Sequence, residues 1–336
     1  RFVEQPPVHR RHRQRESASN AIFTRAASPI LKMKGFNPNC PEVYGNPGSV
    51  RGKTFIVPKG TSAHYMLSRW LHVLGLNERD VNIVDMQPSE AMKAFADGQG
   101  DAIALWAPQT FEAEKLGLKT VAHSSDCNAR QPILLVANMD YANKHKGDIV
   151  AFLRVYLRSV DMMKKTPAED LADDYMRFYN AWTGKTMTRE EAIRDIKDHP
   201  VYALDQQLDM FKQSYGTSEL REWLHDIVSF QNETGELDRR DLARLERLHY
   251  VTDIYLKAVK APAKNVVSRT EKLFLKVVPG CCVPEPLLFE KEEAIFVKFC
   301  LTFSVCLRKI AFRLVSSRKN AGCPCSFRAA RFCVSV

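Results

Sequence analysis

Residues 53–76 of the chain read KTFIVPKGTSAHYMLSRWLHVLGL. The apolar run at residues 55–57 ends at Pro58 and predicts a short buried strand. After the turn at Lys59 and Gly60, apolar residues recur at helical spacing on one face: Ala63, Met66, Leu67, Trp70, Leu71 and Leu74. Gly75 is a suitable residue to follow the end of that helix. The stretch therefore predicts a strand, a sharp turn and an amphipathic helix.

The same alternation continues along the chain. The strand-like segments VNIVDM, DAIALW and KTVAHS alternate with helical patterns at residues 88–98 and 109–117. Because the links are short, the alternation predicts an α/β fold with a mostly parallel sheet and helices on its faces. The segment PILLVAN at residues 132–138 predicts one more strand. The pattern is then mainly helical to about residue 260, and TREE at residues 188–191 is typical of a capping box.

The net charge of +10 is concentrated at the two ends of the 336-residue chain. Residues 1–26 hold six Arg and two Glu, and residues 261–336 hold 13 Lys and Arg with five Glu. The body at residues 27–260 holds 30 basic and 32 acidic residues, so its charge does not favour a nucleic-acid partner. The arm HRRHRQR at residues 9–15 has no interleaved aromatic residues, and we expect residues 1–16 to be a basic disordered arm.

Cysteine use also separates the body from the C-terminal segment. Seven of the nine Cys lie in the last 56 residues, so the body does not depend on disulfides. We treat residues 261–336 as a Cys-rich basic tail of unknown structure. The tail has no pair of C-x-x-C units with zinc spacing, and TGKT at residues 183–186 lacks the earlier Gly of a phosphate-binding loop. We therefore expect no metal and no cofactor.

Targeting segments are not evident in the sequence. The first 17 residues are basic but contain no apolar stretch of the kind a signal peptide requires. The longest apolar run, at residues 294–307, contains Lys298 and is shorter than the roughly 18 residues that a membrane span needs.

The predicted helix of residues 61–74 begins with small hydroxyl residues and no acid. If Thr61 is the N-cap, then Ser62, Ala63 and His64 occupy the first three helical positions, where backbone N–H groups have no partner inside the helix. The next acid along the chain is Glu78. Such an N-terminus is a favourable site for an external anion. An ordinary cap that faces water is the alternative interpretation, since Ser and Thr are common caps.

Two further features bear on function. Trp106 ends the segment DAIALW, at the sheet edge where parallel sheets bind ligands, and it is either an apolar wall of the site or a core residue. Gly60 and Ser62 also match part of the G-x-S-x-G nucleophile elbow, but His64 replaces the second Gly. A side chain two positions along a helix points about 200° away, so His64 cannot be the base for Ser62. An α/β hydrolase-like enzyme that uses Ser62 remains an alternative.

Three segments together resemble the solute-binding proteins of ABC transporters for sulfonates, taurine and nitrate. They are VRGKTFIVPKGTSAHYMLSRWLHVLGL, VNIVDMQPSEAMKAFADGQGDAIALWAPQTFEAEKLGLKTVA and FQNETGELDRRDLARLERLHYVTDIYLKAV, and the similarity covers residues 17–260. The resemblance implies a two-lobed type II periplasmic-binding fold whose first lobe is incomplete here. Residues 49–128 would form lobe 2, and residues 17–48 with 129–260 would form the remnant of lobe 1 and its C-terminal helices. A strand–helix–strand unit and a secretion signal would precede them.

The resemblance also implies a function. The chain would be the solute-binding component of an ABC importer, would capture an aliphatic sulfonate or a taurine-like anion, and would deliver it to the permease membrane subunits. It would be a periplasmic or extracytoplasmic monomer without catalytic activity. The family's ligand contacts carry over to Thr61, Ser62, Ala63, His64 and Trp106. A nitrate-binding or pyrimidine-binding homologue is the alternative within this family.

Overall fold

The computed structural model describes residues 19–214, 216–247 and 251–260. The expectations for residues 1–16 and 261–336 concern segments that lie outside these residues. Among the helices described, none is long and apolar enough to cross a bilayer.

A five-stranded sheet organises the first half of the described chain. Its strands are β1 Asn20–Thr24, β2 Thr54–Val57, β3 Asn82–Asp85, β4 Ala102–Trp106 and β5 Lys119–His123, in the order β3-β2-β4-β1-β5. The second strand pairs in parallel with β3 and β4, whereas β1 pairs antiparallel with β4 and β5. Strands β2 to β5 therefore share one direction, which confirms the expected mostly parallel sheet.

The position of β1 corrects the expected division of the chain. Residues 17–48 were assigned with 129–260, but β1 lies inside the sheet formed by the strands of residues 49–128. All five of its residues are buried, so the strand needs cover on both faces as well as partners on both edges. Arg25 follows the end of β1, and its guanidinium donates to the carbonyls of Phe95, Gln99 and Gly100. A strand inserted out of sequence order leaves no periodic signal of its placement.

Helices cover both faces of this sheet. They are α1 Pro47–Val50, α2 Ser62–Val73, α3 Pro88–Ala96 and α4 Gln109–Lys115. One core contains the apolar face of α2 together with Ile22, Phe55 and Ala104. The other contains Ile56 and Ile103 with residues of α3 and α4. Alternate residues of β1, β2 and β4 thus lie in opposite cores. The predicted apolar face of α2 is entirely buried.

The second half is helical, as predicted. Its helices are α5 Met139–Lys144, α6 Lys146–Lys165, α7 Ala168–Thr183, α8 Arg189–Asp198, α9 Leu204–Met210, α10 Glu219–Glu233, α11 Arg239–Arg247 and α12 Ile254–Lys260, with a small hairpin of β6 Gln213–Ser214 and β7 Thr217–Ser218 before α10. The capping box at the start of α8 is confirmed. Thr188 N–H donates to Glu191 Oε2 over 2.8 Å, and Glu191 N–H donates to Thr188 Oγ1 over 3.2 Å.

The strand predicted at residues 132–138 was wrong. These residues have no regular secondary structure, and Val136 is 86% exposed. A strand requires a neighbour that completes its hydrogen bonds. Within the part of the chain that the structure describes, no strand pairs with this segment.

Helices of the second half contact the sheet and its helices α1 to α4, together called the sheet unit, through α8 at one place and through α10 at another. Arg194 of α8 donates two hydrogen bonds to the carboxylate of Glu114 in α4, one of them 2.8 Å long. Lys115 of α4 in turn lies 2.6 Å from Glu191 of α8. At the other place, the Phe230 ring of α10 packs edge-on against His64 and Tyr65 of α2, with centroid separations of 5.0 and 5.4 Å. The second contact packs α10 against the first turn of α2.

Candidate functional site

The candidate site is the N-terminus of α2, at the carboxyl edge of the sheet. Strand β2 ends at Val57, and the chain turns through Gly60, whose φ of +69° suits a residue without a side chain. Thr61 is the N-cap, as predicted: its Oγ1 accepts from the N–H of His64 over 3.4 Å. The same hydroxyl donates its proton to Pro58 O over 2.6 Å. Thr61 therefore closes the turn, and its hydroxyl proton is already engaged.

Two backbone donors of the first turn remain available. Tyr65 N–H donates to Thr61 O over 3.0 Å and His64 N–H donates to Thr61 Oγ1. For the N–H groups of Ser62 and Ala63, the described residues provide no acceptor. The first turn contains no acid, so these groups carry the uncompensated positive end of the helix dipole. The arrangement is suited to an anion.

The His64 side chain is enclosed by other parts of the protein. Its ring is only 2% exposed and packs on Phe230. Nδ1 accepts from Gly60 N–H over 3.2 Å, and Nε2 lies 3.1 Å from Glu78 Oε1. Both ring nitrogens face protein groups, so the side chain holds the turn that precedes the helix, and a ligand contact from His64 stays a prediction. The partners of this ring lie on other elements, which is why the sequence pattern did not exclude it.

The Ser62 hydroxyl belongs to a three-residue ring that the sequence reasoning missed. Ser62 Oγ donates to Asn20 Oδ1 over 3.2 Å. Asn20 Nδ2 donates to Gln131 Oε1, and Gln131 Nε2 donates to Ser62 O over 2.7 Å. Asn20 is 4% exposed and begins β1. Gln131 follows β5 and the short turn Ser124–Cys127. No periodic signal links residues that are 42 and 69 positions from Ser62.

Trp106 lies next to this ring. It ends β4 and is the direct partner of Asn20 in the antiparallel pairing of β1 and β4. Its side chain is 9% exposed and belongs to the same core as the apolar face of α2. The structure thus places Ser62, Asn20 and Trp106 together at one sheet edge. A ligand wall formed by Trp106 stays a prediction, because the residue also packs in the core.

Acidic groups approach the turn from outside the helix. Asp85 Oδ1 at the end of β3 accepts from Lys59 N–H over 2.9 Å. The carboxylate of Glu236, after α10, comes close enough to Gly60 that an oxygen would lie 3.6 Å from a Cβ placed there. With Glu78, these acids surround the base of the turn and do not cap the helix itself. In the described residues, no three His, Cys, Asp or Glu are grouped as a metal site would require.

A comparison with protein families matches residues 45–170 to the family described as NMT1/THI5 like. Two curated relatives are similar over a comparable region. One is named "Putative ABC transporter periplasmic binding protein", from Brachyspira hyodysenteriae, and is 31% identical over 53% of this chain and 51% of its own length. The other is named "Putative aliphatic sulfonates-binding protein", from Bacillus subtilis, and is 27% identical over 58% of this chain and 55% of its own length. The chain spans about half the length of these relatives.

Among solved structures, the periplasmic aliphatic sulphonate binding protein SsuA from Escherichia coli has a similar fold. The two structures match with a TM-score of 0.52 at 18% identity, over 82% of this chain and 73% of the other. The expected α/β fold of a periplasmic binding protein is therefore confirmed. The resemblance inferred from the three sequence segments is also confirmed, since these relatives are binding proteins of the expected kind.

Proposed function

We propose that this chain is the solute-binding component of an ABC importer and that it captures a small organic anion, most favourably an aliphatic sulfonate. The observation that carries the proposal is the pair of N–H groups of Ser62 and Ala63, which have no acceptor among the described residues, at an acid-free helix N-terminus. They lie at the carboxyl edge of the sheet, where α/β folds bind ligands. The names of the similar binding proteins support the same ligand class.

The geometry suits the chemistry of such a ligand. A helix N-terminus behaves as about half a positive charge, and its N–H groups form charge-assisted hydrogen bonds to an oxyanion. The small side chain of Ser62 lets the headgroup approach the backbone closely, whereas the Ala63 side chain lies in the core. Trp106, beside Asn20, would then contact the apolar tail of the ligand. Thr61 contributes by closing the turn, and the anionic headgroup would be held mainly by the backbone.

The arrangement does not favour a hydrolase. The Ser62 hydroxyl donates to an amide oxygen of Asn20 and does not contact a histidine. The nearest histidine in sequence, His64, faces Gly60 and Glu78. A serine nucleophile needs a base that accepts its proton, and an amide oxygen cannot do so. We therefore propose an extracytoplasmic monomer without catalytic activity that passes its ligand to permease subunits and binds no nucleic acid.

Titration calorimetry tests the proposal with butane-1-sulfonate, nitrate and uracil, alongside a hydrolysis assay with a small ester. We expect saturable binding of the sulfonate and no hydrolysis above that of buffer. Ester hydrolysis that disappears in Ser62→Ala would favour the enzyme instead. Binding of uracil or nitrate without the sulfonate would assign the chain to another ligand class, and heat from none of the three would contradict the proposed function.

A further inference from the structure

Two cysteines of the body, Cys40 and Cys127, pack into one core from different segments of the chain. Cys127 is 1% exposed and belongs to the core that contains the apolar face of α2. Cys40 is half-buried and packs against the same core. Both thiols are free in the structure. The candidate anion site uses neither cysteine, so ligand binding does not account for their common position.

Residues 34–44 form a loop, the Cys40 loop, that the sheet holds in place. The base of the loop is an antiparallel β-bridge between Lys34 and Tyr44. Tyr44 N–H also donates to Val121 O of β5 over 3.0 Å, which fastens the loop to the edge strand of the sheet. The loop therefore lies beside the strand that leads directly to the second cysteine.

The turn Ser124–Cys127, which follows β5, lies close to the base of the Cys40 loop. A hydrogen bond to Glu42 is the main cause that raises the pKa of Lys34, and the negative charge of Asp126 adds to this rise. A carboxylate in the turn thus acts on a residue at the base of the loop. Because such interactions weaken with distance, the two segments are neighbours in space.

The two thiols also act on each other. Burial raises the pKa of the Cys127 thiol, and the negative charges of Asp126 and Cys40 raise it further. A thiolate at Cys40 has this effect only when the two side chains are close, because charges separated by distance and water interact weakly. The protonated Cys127 is a poor nucleophile, whereas the half-buried Cys40 is the thiol that a reagent in solvent reaches first.

We propose that Cys40 and Cys127 are a disulfide-forming pair, whose bond ties the Cys40 loop to the turn after β5. The oxidant is a small-molecule or protein disulfide. The Cys40 thiolate attacks one sulfur of that disulfide, forms a mixed disulfide and releases one thiolate of the oxidant. The Cys127 thiolate then attacks the Cys40 sulfur and releases the second thiolate. Two protein thiols thus become one disulfide, and the oxidant takes up two electrons and two protons as two thiols.

The proposed extracytoplasmic location favours this bond, because disulfides persist in oxidising compartments. The inference rests on the proposed function in that respect alone, since the pairing itself follows from the fold. Both thiols are free in a core that is already assembled, so the bond adds a cross-link and is not needed to form the core. This agrees with a body that does not depend on disulfides.

Peptide mapping of the full chain tests the pairing. The reduced chain is treated with oxidised glutathione under native conditions and quenched with acid, the remaining thiols are blocked with N-ethylmaleimide, and the product is digested with trypsin. Cleavage gives GFNPNCPEVYGNPGSVR, residues 35–51, and TVAHSSDCNAR, residues 120–130, each with one cysteine. We expect the main product from these two peptides to have their summed mass less two hydrogens.

The same oxidation in concentrated urea is the first control. There the seven cysteines of residues 261–336 compete for both thiols, so the linked peptide should no longer be the main product. Cys40→Ser is the second control, because the substitution lies at the half-buried member of the pair. Oxidation should raise the melting temperature of the wild type by about 5 °C or more and leave that of Cys40→Ser unchanged. If Cys40→Ser does not fold, Cys127→Ala serves the same purpose.

The outcomes are distinct. Recovery of the two peptides as separate glutathione or N-ethylmaleimide adducts, or linked to peptides of residues 261–336, would overturn the pairing. An equal thermal shift in the wild type and the cysteine variant would overturn the stabilising cross-link. No ligand enters either measurement, so a failure of the pairing leaves the proposed function standing, and a chain that binds no sulfonate leaves the pairing standing.

Discussion

At the scale of single residues, a substitution of Ser62 can distinguish a ligand contact from a packing residue. In Ser62→Glu, a tethered carboxylate would compete for the free N–H groups of α2 and repel an anionic ligand. We expect sulfonate binding to be abolished. An acid in a first helical turn stabilises by about 0.3 to 1 kcal/mol, which offsets the lost bond to Asn20, so the melting temperature should change little.

Ser89→Glu is the control for Ser62→Glu. Ser89 is an exposed residue in the first turn of α3, and this helix leaves the same edge of the sheet. The control should melt at or slightly above the wild-type temperature and bind the sulfonate normally. Wild-type affinity in Ser62→Glu would place the ligand elsewhere.

Trp106 allows a test of the apolar part of the site. In Trp106→Ala, the anion contacts on α2 remain while apolar surface beside Asn20 is lost. Affinity for a long alkyl sulfonate should therefore fall more than affinity for methanesulfonate, by about 25 cal/mol for each Å² of lost apolar contact. Calorimetry with the two sulfonates gives the difference. Equal losses for both ligands would mean that Trp106 acts only through the core, and a thermal melt would then show the cost of the cavity.

The site residues show what local sequence can and cannot predict. The Thr61 cap and the free N–H groups after it follow from residues within one turn, and they were predicted correctly. The burial of His64 depends on Glu78 and Phe230, which reach it through the fold. Asn20 and Gln131 carry no signal of their own, because an amide next to a strand is unremarkable until the strand order is known.

At the scale of elements, His199, a half-buried histidine just after α8, makes the free energy of unfolding depend on pH. Burial of His199 opposes its charging, but the hydrogen bond and negative charge of Asp195 outweigh this effect and raise the pKa above its usual 6.5. Asp195 also accepts from the hydroxyl of Tyr175. A raised pKa means that the folded chain binds the proton more tightly than the unfolded chain. The stabilisation is complete below about pH 6.5 and is lost as the pH rises through the raised value.

We therefore expect the wild type to lose thermal stability between pH 6 and pH 9 by more than His199→Gln, which cannot take up this proton. Melting curves across that range measure the difference. His145→Gln is the control, since His145 is exposed and shows no comparable buried partner. Parallel pH profiles for the wild type and His199→Gln would contradict the linkage.

The elements also differ in how well the sequence predicted them. The amphipathic helix α2 and the alternating strands have enough period to be recognised without their partners. Residues 132–138 are apolar enough for a strand, yet a strand also depends on a neighbouring edge, and none is present in the described residues. The antiparallel place of β1 is a property of the sheet and could not be obtained from five residues.

At the scale of the whole molecule, ion pairs join the sheet unit to the helical half. In one pair α8 provides the cation, and in the other α4 provides it. Arg194 of α8 binds Glu114 of α4, and Lys115 of α4 binds Glu191 of α8. Both ends of the Arg194–Glu114 pair are partly exposed, so we expect a modest coupling of about 1 kcal/mol or less in a double-mutant cycle of Arg194→Ala and Glu114→Ala. Salt at 1 M should reduce the coupling. Additive single-mutant effects would show that the pair does not hold the two parts together.

The antiparallel placement of β1 also affects how the protein is made. A ribosome delivers Asn20–Thr24 before the partners on its two edges, Ala102–Trp106 and Lys119–His123, which emerge about 80 and about 100 residues later. At about 5 to 20 residues per second, the strand waits roughly 4 to 20 seconds with its backbone hydrogen-bonding groups unpaired and its apolar residues uncovered. During this interval the segment is prone to aggregation, and chaperones would have to shield it. A nascent chain stalled before β5 should be markedly more prone to aggregation than one released after it.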